Sequence, residues 1–404
     1  MPTYKLIELI DAVISGEWGQ DVGDGMEGIK VIRTTNLSNT GKLDLKKEVV
    51  LRNIDKAKVE EKKLQLGDII IEKSGGSPDQ PVGRVVYFEE EELYLCNNFT
   101  SVLRPKKELV IPKFLMYVLF NLHRTKKVLK FQNKTTGIIN LKLEQYLNQT
   151  TVIIPSLEIQ SKVVVSLDQA YALIEKRQSQ ITALDELTQS LFLEMFYQGD
   201  TPYFVKIGEI IESIEAGWSV SGEERPKKID ELAVLKISAV TKGYFKEEEY
   251  KVINRNTVIK KAIYPKKGDI IFSRANTREL VGASAIVPKD YSDLILPDKL
   301  WKINLEKKKI TPEYFHAVIN TKKTRDKFSK SATGTSGSML NISMQKFKEV
   351  EIPLLPFEKQ VLFSRKLNEI SKIKEKLIAA QKNIEQMYNS LLHKAFKGEL
   401  FQEQ

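Results

Sequence analysis

The sequence is poor in the residues that build disulfides and metal centres. Its 404 residues include one cysteine, Cys96, and three histidines, His123, His316 and His393. A single cysteine excludes an internal disulfide framework and fits a reducing compartment. Three scattered histidines and one cysteine leave little for a zinc site, and their spacing suggests no Ser or Cys partner. No apolar run is long enough to span a bilayer, since 111–122 is short and carries Pro112 and Lys113. Glu8 and Asp11 interrupt the N-terminal apolar stretch, which argues against a signal peptide. A cytoplasmic chain without a membrane partner is expected. There is no Walker loop, and no Asn-Pro-Pro-Tyr or Asp-Pro-Pro-Tyr run of the kind that grips a flipped base.

Charge is in modest surplus. Lys and Arg number 63 against 53 Asp and Glu, a net charge of +10. This balance favours a polyanionic partner, nucleic acid first. Apolar residues make up 42%, too many for a disordered chain. The length suits two to four domains with real cores.

The chain repeats itself with a period of 200 or 201 residues. Gly67-Asp68-Ile69 matches Gly268-Asp269-Ile270, Ser15-Gly16 matches Ala216-Gly217, and Asn140-Leu141 matches Asn341-Ile342. Glu158-x-Gln160 matches Glu358-x-Gln360, and Ser190-Leu191 matches Ser390-Leu391. Chance similarity does not hold one offset over so many anchors.

Each copy begins with about 150 residues of mixed pattern. Short β-branched runs at 29–34, 68–71 and 83–88 predict strands. Stretches led by Pro112 and Pro312, running to about Lys130 and Lys327, predict helices with proline in the first turn. The expected fold class is α+β: two similar globular domains separated by two long antiparallel, coiled-coil-like helices, as a pseudo-two-fold internal repeat. The segments 157–196 and 357–397 contain neither Pro nor Gly. Ile370, Ile373, Leu377, Ala380, Ile384, Met387 and Leu391 step by 3 and 4, a heptad seam, and Leu184, Leu187 and Leu191 sit at the same places in copy one. Forty helical residues extend about 60 Å, and such a seam needs a partner helix. The division expected is 1–152, 153–199, 200–351 and 352–404.

Basic clusters recur in both copies. No acidic residue lies between Leu109 and Leu143, whereas Lys127, Lys130 and Lys134 do, and Lys327 and Lys330 occupy the matching stretch. Polar glycine-containing loops follow, with Thr135 and Thr136 in one copy and Thr333, Thr335 and Ser336 in the other. Their N–H and hydroxyl groups suit phosphate oxygens. A second loop follows the Gly-Asp-Ile strand, with Lys73, Ser74 and Arg84 in copy one and Ser273, Arg274, Asn276 and Arg278 in copy two. Such side chains read base edges, and a shared frame with different tips suits two different half-sites. Arg33, Thr34 and Asn36, and Lys236, are further DNA-facing candidates. Each charge run also reads as a solvated face.

Two apparent motifs fail on context. Gly23-x-Gly25-x-x-Gly28 fits the dinucleotide fingerprint literally, but strand-like residues follow it. Asp298 with Glu306 and Lys308 resembles a Mg²⁺ nuclease pattern, but copy one has Asn98 where Asp298 stands.

The duplicated order closely resembles the specificity subunit of type I restriction-modification systems. That family opens each conserved region with I-P-x-P-P-x-x-E-Q, matched by Ile154-Pro155 through Gln160 and by Ile352-Pro353 through Gln360. The helix ends at 190–196 and 390–400, and the Gly-Asp-Ile strands, match as well. Copy one departs with Ser156-Leu157 where a second proline is usual. The resemblance implies target-recognition domains that bind double-stranded DNA. It implies helices that set the spacing and dock two methyltransferase subunits, with restriction subunits as possible further partners. The chain itself would be non-catalytic, without cofactor or metal. S-adenosylmethionine would belong to the methyltransferase subunits, and ATP and Mg²⁺ to restriction subunits. A coiled-coil adaptor without DNA readout, or a free-standing nuclease, are the alternatives the residues leave open.

Overall fold

The computed structural model describes residues 2–23, 27–77, 80–135, 138–197, 203–334, 339–397 and 399–400. The chain divides into two compact units, Met1–Gln178 with Ala379–Gln404, and Ser179–Ile378. The expected division followed secondary structure. The compact units instead cut each long helix at its middle, because each half-helix packs on the globular domain of its own unit.

The two units share one topology. In the first, a central antiparallel sheet runs Ile10–Ser15, Thr100–Pro105, Ile69–Glu72, Val85–Tyr87. In the second it runs Ile211–Ala216, Leu300–Leu305, Ile270–Ser273, Ser284–Ile286. The Gly-Asp-Ile strand is interior to each sheet, and Ile69, Ile70 and Ile71 are all fully buried. That explains a continuous rather than alternating apolar run. A second four-stranded sheet in each unit ends in a parallel pair, Ile29–Ile32 with Tyr94–Cys96 and Ala233–Leu235 with Leu294–Ile295. Gly28 therefore opens a strand, not a helix. Each domain closes on itself: Thr3–Lys5 pairs with Thr151–Ile153, and Tyr203–Lys206 pairs with Glu351–Leu354, just before each long helix.

The first proline-led helix, expected to reach about Lys130, ends at Arg124, where Lys126 takes a left-handed conformation and a short helical turn Lys127–Phe131 follows; Pro112–Arg124 buries Phe114, Leu115, Val118, Leu119 and Leu122. Its counterpart was expected to be one helix and is two, Pro312–Ile319 and Lys322–Ser331. Thr321 starts the second, its side chain accepting the N–H of Thr324 at 3.3 Å.

The long helices are Leu157–Tyr197 and Phe357–Lys397. Within each unit their halves run antiparallel. Tyr171 meets Tyr388 (ring centroids 5.9 Å apart) and Gln381 donates to Gln178 at 3.2 Å in the first unit. Phe192 meets Phe363 at 5.9 Å and Lys374 pairs with Asp185 in the second. Leu184, Ile370, Leu377, Ile384 and Leu391 are half-buried along the seam, and Leu191 is buried. Leu187, Ile373 and Met387, expected on the seam, lie off it with 50%, 51% and 47% exposure. The row alternates steps of 4 and 3 from Ile370, so it passes through Lys374 and Tyr388 instead. Lys374 fits there because its stem can pack while its ammonium reaches Asp185. Among the described residues no helix is long and apolar enough to cross a membrane.

Candidate nucleic-acid interface

In each unit the two loops singled out from the sequence are joined edge to edge. In the first, Ser74–Gly76 pairs with Ile138–Leu141, which pairs in turn with Gln132–Thr135. Ser74 Oγ lies 2.5 Å from Asn140 Oδ1 and donates to it. In the second, Ala275–Asn276 pairs with Leu340–Asn341, and Thr333 exchanges two backbone bonds with Asn341 at 2.8 and 2.9 Å.

Two further turns join these edges through the main chain. In the first unit, the N–H groups of Lys73 and Ser74 donate to Phe99 O at 2.9 and 3.2 Å. Leu141 N–H donates to Lys73 O at 2.8 Å, and Glu17 N–H to Cys96 O at 2.8 Å. The second unit repeats the pattern, with Arg274 N–H on Lys299 O (3.1 Å), Ile342 N–H on Arg274 O (2.9 Å) and Trp218 N–H on Leu296 O (3.1 Å). Gly16 and Gly217 make the close turn possible. A Cβ on either would stand 2.0 Å from Asn97 O or 1.9 Å from Leu296 O. The result in each unit is a polar ridge with one backbone and different side chains.

Several predicted residues are committed inside the protein. Arg84 grips buried Glu72 through Nε and Nη2 at 2.9 and 2.7 Å, and donates to Leu37 O and Thr34 O at 2.9 and 3.2 Å. The bonds to Glu72 hold its pKa above the usual arginine value against the opposing effect of burial. Asn36 is fully buried, and its amide donates towards Asp44 O, Lys47 O and Glu48 O. Ser273 is fully buried as well. Arg84, Asn36 and Ser273 therefore brace the ridge and do not offer a free edge to a base. Thr34 contributes its carbonyl to the same brace. Arg33 donates to Glu48 O at 3.2 Å, and Lys236 pairs with Glu249 at 3.1 Å.

Others face outward. Lys127, Lys130, Lys330, Arg278 and Thr333 are exposed. The Lys130 ammonium stands 4.8 Å from the Phe131 ring centroid. The Lys127, Lys330 and Arg278 side chains make no hydrogen bond or ion pair with another described residue. Lys327 is half-buried and donates to Glu351 O at 2.6 Å. Asn276 is half-buried, its side chain accepting the N–H of Thr277. Lys134 and Thr135 pair in the strand Gln132–Thr135, and Thr136, Thr335 and Ser336 lie outside the described residues.

Two ridge cations sit in contrasting fields. Lys73 is half-buried, 3.4 Å from Ser15 Oγ, and burial lowers its pKa. Arg274 donates to Asp298 O at 3.0 Å and to its carboxylate at 3.2 Å. Asp298 also accepts from Ser219, so the carboxylate of the apparent nuclease pattern is held in an ion pair. Phe99, Lys299, Glu17 and Trp218 had not been singled out. The signal available was a short break between two apolar runs, Asn97-Asn98-Phe99 and Pro297-Asp298-Lys299.

An internally duplicated chain, each unit a twin-sheet α+β domain on an antiparallel helix pair, defines a two-domain recognition architecture. The model of the type I restriction modification DNA specificity domain matches it twice, at residues 21–183 and 202–386. The chain belongs to that family, the specificity subunits of type I restriction-modification systems. It is 29% identical over 173 residues to the type I restriction enzyme EcoEI specificity subunit of Escherichia coli. That match covers 43% of this chain and 29% of the relative. A putative type I restriction enzyme MjaX specificity subunit of Methanocaldococcus jannaschii is 22% identical over 416 residues, 98% of this chain and 92% of the relative. Among solved structures, the type I S subunit from M. genitalium aligns with a TM-score of 0.59 at 12% identity, covering 98% of this chain and 96% of that one. A chain from a study of complex assembly and conformational transition in a type I system aligns at 0.56 and 15%, covering 99% and 98%. At these identities the structures share the fold.

Proposed function

We propose that each unit reads one half of a bipartite double-stranded DNA target. In this reading the long helices set the spacing between the halves and dock two methyltransferase subunits, and restriction subunits join the assembly. The chain contributes recognition and no catalytic step. S-adenosylmethionine belongs to the methyltransferase partners, and ATP and Mg²⁺ to the restriction subunits. The observation that carries this is the ridge present in both units, with the same main-chain bonds and different side chains. One scaffold with two chemistries suits a target whose halves differ in sequence. Lys127, Lys130 and Lys330, exposed at the surface, supply phosphate contacts that position without specifying. Lys134 and the threonines of the adjoining loops belong to the same role.

The test is a genome-wide map of N6-methyladenine with and without this gene, the methyltransferase partner intact. Loss of one bipartite motif on deletion is the expected result. An unchanged map in cells where the methyltransferase is expressed and active would count against it.

A further inference from the structure

We propose that the third residue of one turn, Phe99 in the first unit and Lys299 in the second, is the specificity-determining side chain that makes the two half-sites differ. The inference rests on the reading of both units as DNA-recognition domains. It adds which residue discriminates and what base chemistry it meets.

The turn is the same in both units. Thr100 N–H donates to Asn97 O at 3.0 Å, and Leu300 N–H to Pro297 O at 3.3 Å. Each turn leads from the parallel-paired strand into the long strand of the central sheet. The frame is rigid. Asn97 and Thr100 are buried, with Thr100 Oγ1 on Asn97 O at 2.8 Å. Pro297 is buried and its ring fixes φ. The third residue is then tied to the ridge by its own carbonyl, which accepts from Lys73 and Ser74 in one unit and from Arg274 in the other.

What the main chain does not fix is the side chain. Phe99 is 42% exposed at the tip of the turn. Lys299 is half-buried, and its ammonium makes no hydrogen bond or ion pair with a described residue. The neighbouring polar groups are already engaged: Ser74 with Asn140, Arg274 with Asp298, Arg84 with Glu72. The turn tip is thus a place where the scaffold is held constant while the side chain changes from an exposed aromatic ring to a lysine. A flat apolar ring suits contact with the thymine methyl group. A lysine ammonium suits the O6 and N7 acceptors of guanine.

The experiment uses the full chain assembled with its methyltransferase subunits. Equilibrium binding is measured across a DNA library randomised at each position of both half-sites. Phe99→Ala is expected to lower the preference for thymine at one position of one half-site about tenfold, leaving the other half-site unchanged. Lys299→Ala is expected to lower a guanine preference in the other half only, and Phe99→Lys to move the first preference towards guanine. Phe99→Leu, which keeps an apolar tip, is expected to retain the thymine preference and serves as the folding control, checked by its melting temperature. Unchanged preferences in Phe99→Ala and Lys299→Ala, or a uniform weakening on every sequence, overturn the proposal. A wild-type complex with no sequence preference overturns the parent reading instead.

Discussion

Gln160 and Gln360, equivalent residues of the two copies, make the same three hydrogen bonds. Gln160 accepts from Ile111 N–H at 2.7 Å and donates to Leu109 O and Pro155 O at 3.1 and 2.9 Å. Gln360 accepts from Thr311 N–H at 3.1 Å and donates to Lys309 O and Leu355 O at 3.2 and 2.8 Å. Both are fully buried. This glutamine of the Glu-x-Gln pair is thus the bolt that fixes the first turn of each long helix to the loop before the proline-led helix.

Removing that bolt leaves one N–H and two carbonyls without the amide that pairs with them. Gln160→Ala or Gln360→Ala is expected to cost roughly 1–3 kcal/mol or more, read as a lower denaturant midpoint. A midpoint equal to that of the wild type would show that water replaces the amide at no cost.

The Arg84–Glu72 pair is nearly enclosed, with side-chain exposures of 15% and 3%. Arg84→Ala strands a buried carboxylate and is expected to destabilise by about 3–5 kcal/mol. Replacing both residues with methionine is expected to recover most of that loss, since apolar substitutes of similar volume remove the unpaired charge. Denaturation of the single and double variants checks this, and an equal loss in both would sink it.

His316 is half-buried, with Nε2 3.1 Å from Ser284 O, where the ring N–H donates. Burial lowers its pKa from the ordinary 6.5, opposed by the carbonyls of Ser284 and Gly243. Below pH 6.5 the unfolded chain therefore binds a proton that the folded chain resists. Stability from this group is complete above pH 6.5 and falls as pH falls below it. His316→Gln is expected to flatten the decline in melting temperature between about pH 7 and pH 5. Parallel curves for the two proteins would refute the assignment.

Ile373 and Met387 are exposed apolar residues beside the helix seam, whereas Leu377 lies on it. Ile373→Glu with Met387→Glu is expected to change stability by no more than about 0.5 kcal/mol per site while weakening capture of the methyltransferase subunit. Leu377→Ala is expected to lower stability by about 2 kcal/mol or more. Melting curves beside a pull-down with the purified partner separate the two effects. Full capture by the double variant would place docking elsewhere.

Composition and periodicity were enough for the repeat, the α+β class and both long helices, because these depend on spacings that any one segment carries. The Gly-Asp-Ile strands and the proline-led helix at Pro112 are local in the same sense. The break at Asn320–Thr321 was missed because a side-chain cap, not a proline or glycine, makes it.

Which side chains face outward was not legible. Arg84 and Arg278 look alike as loop arginines, yet one is spent on Glu72 twelve residues upstream and the other is exposed. Ile373 is a better apolar residue than Lys374, yet the seam passes through Lys374 because Asp185 waits on the other helix. The sequence by itself determined the duplicated scaffold, since hydrophobic spacing and turn residues act locally. Only the tertiary structure decided which polar residues are bolts and which are free, because a hydrogen bond or ion pair depends on what distant chain segments bring within about 3 Å.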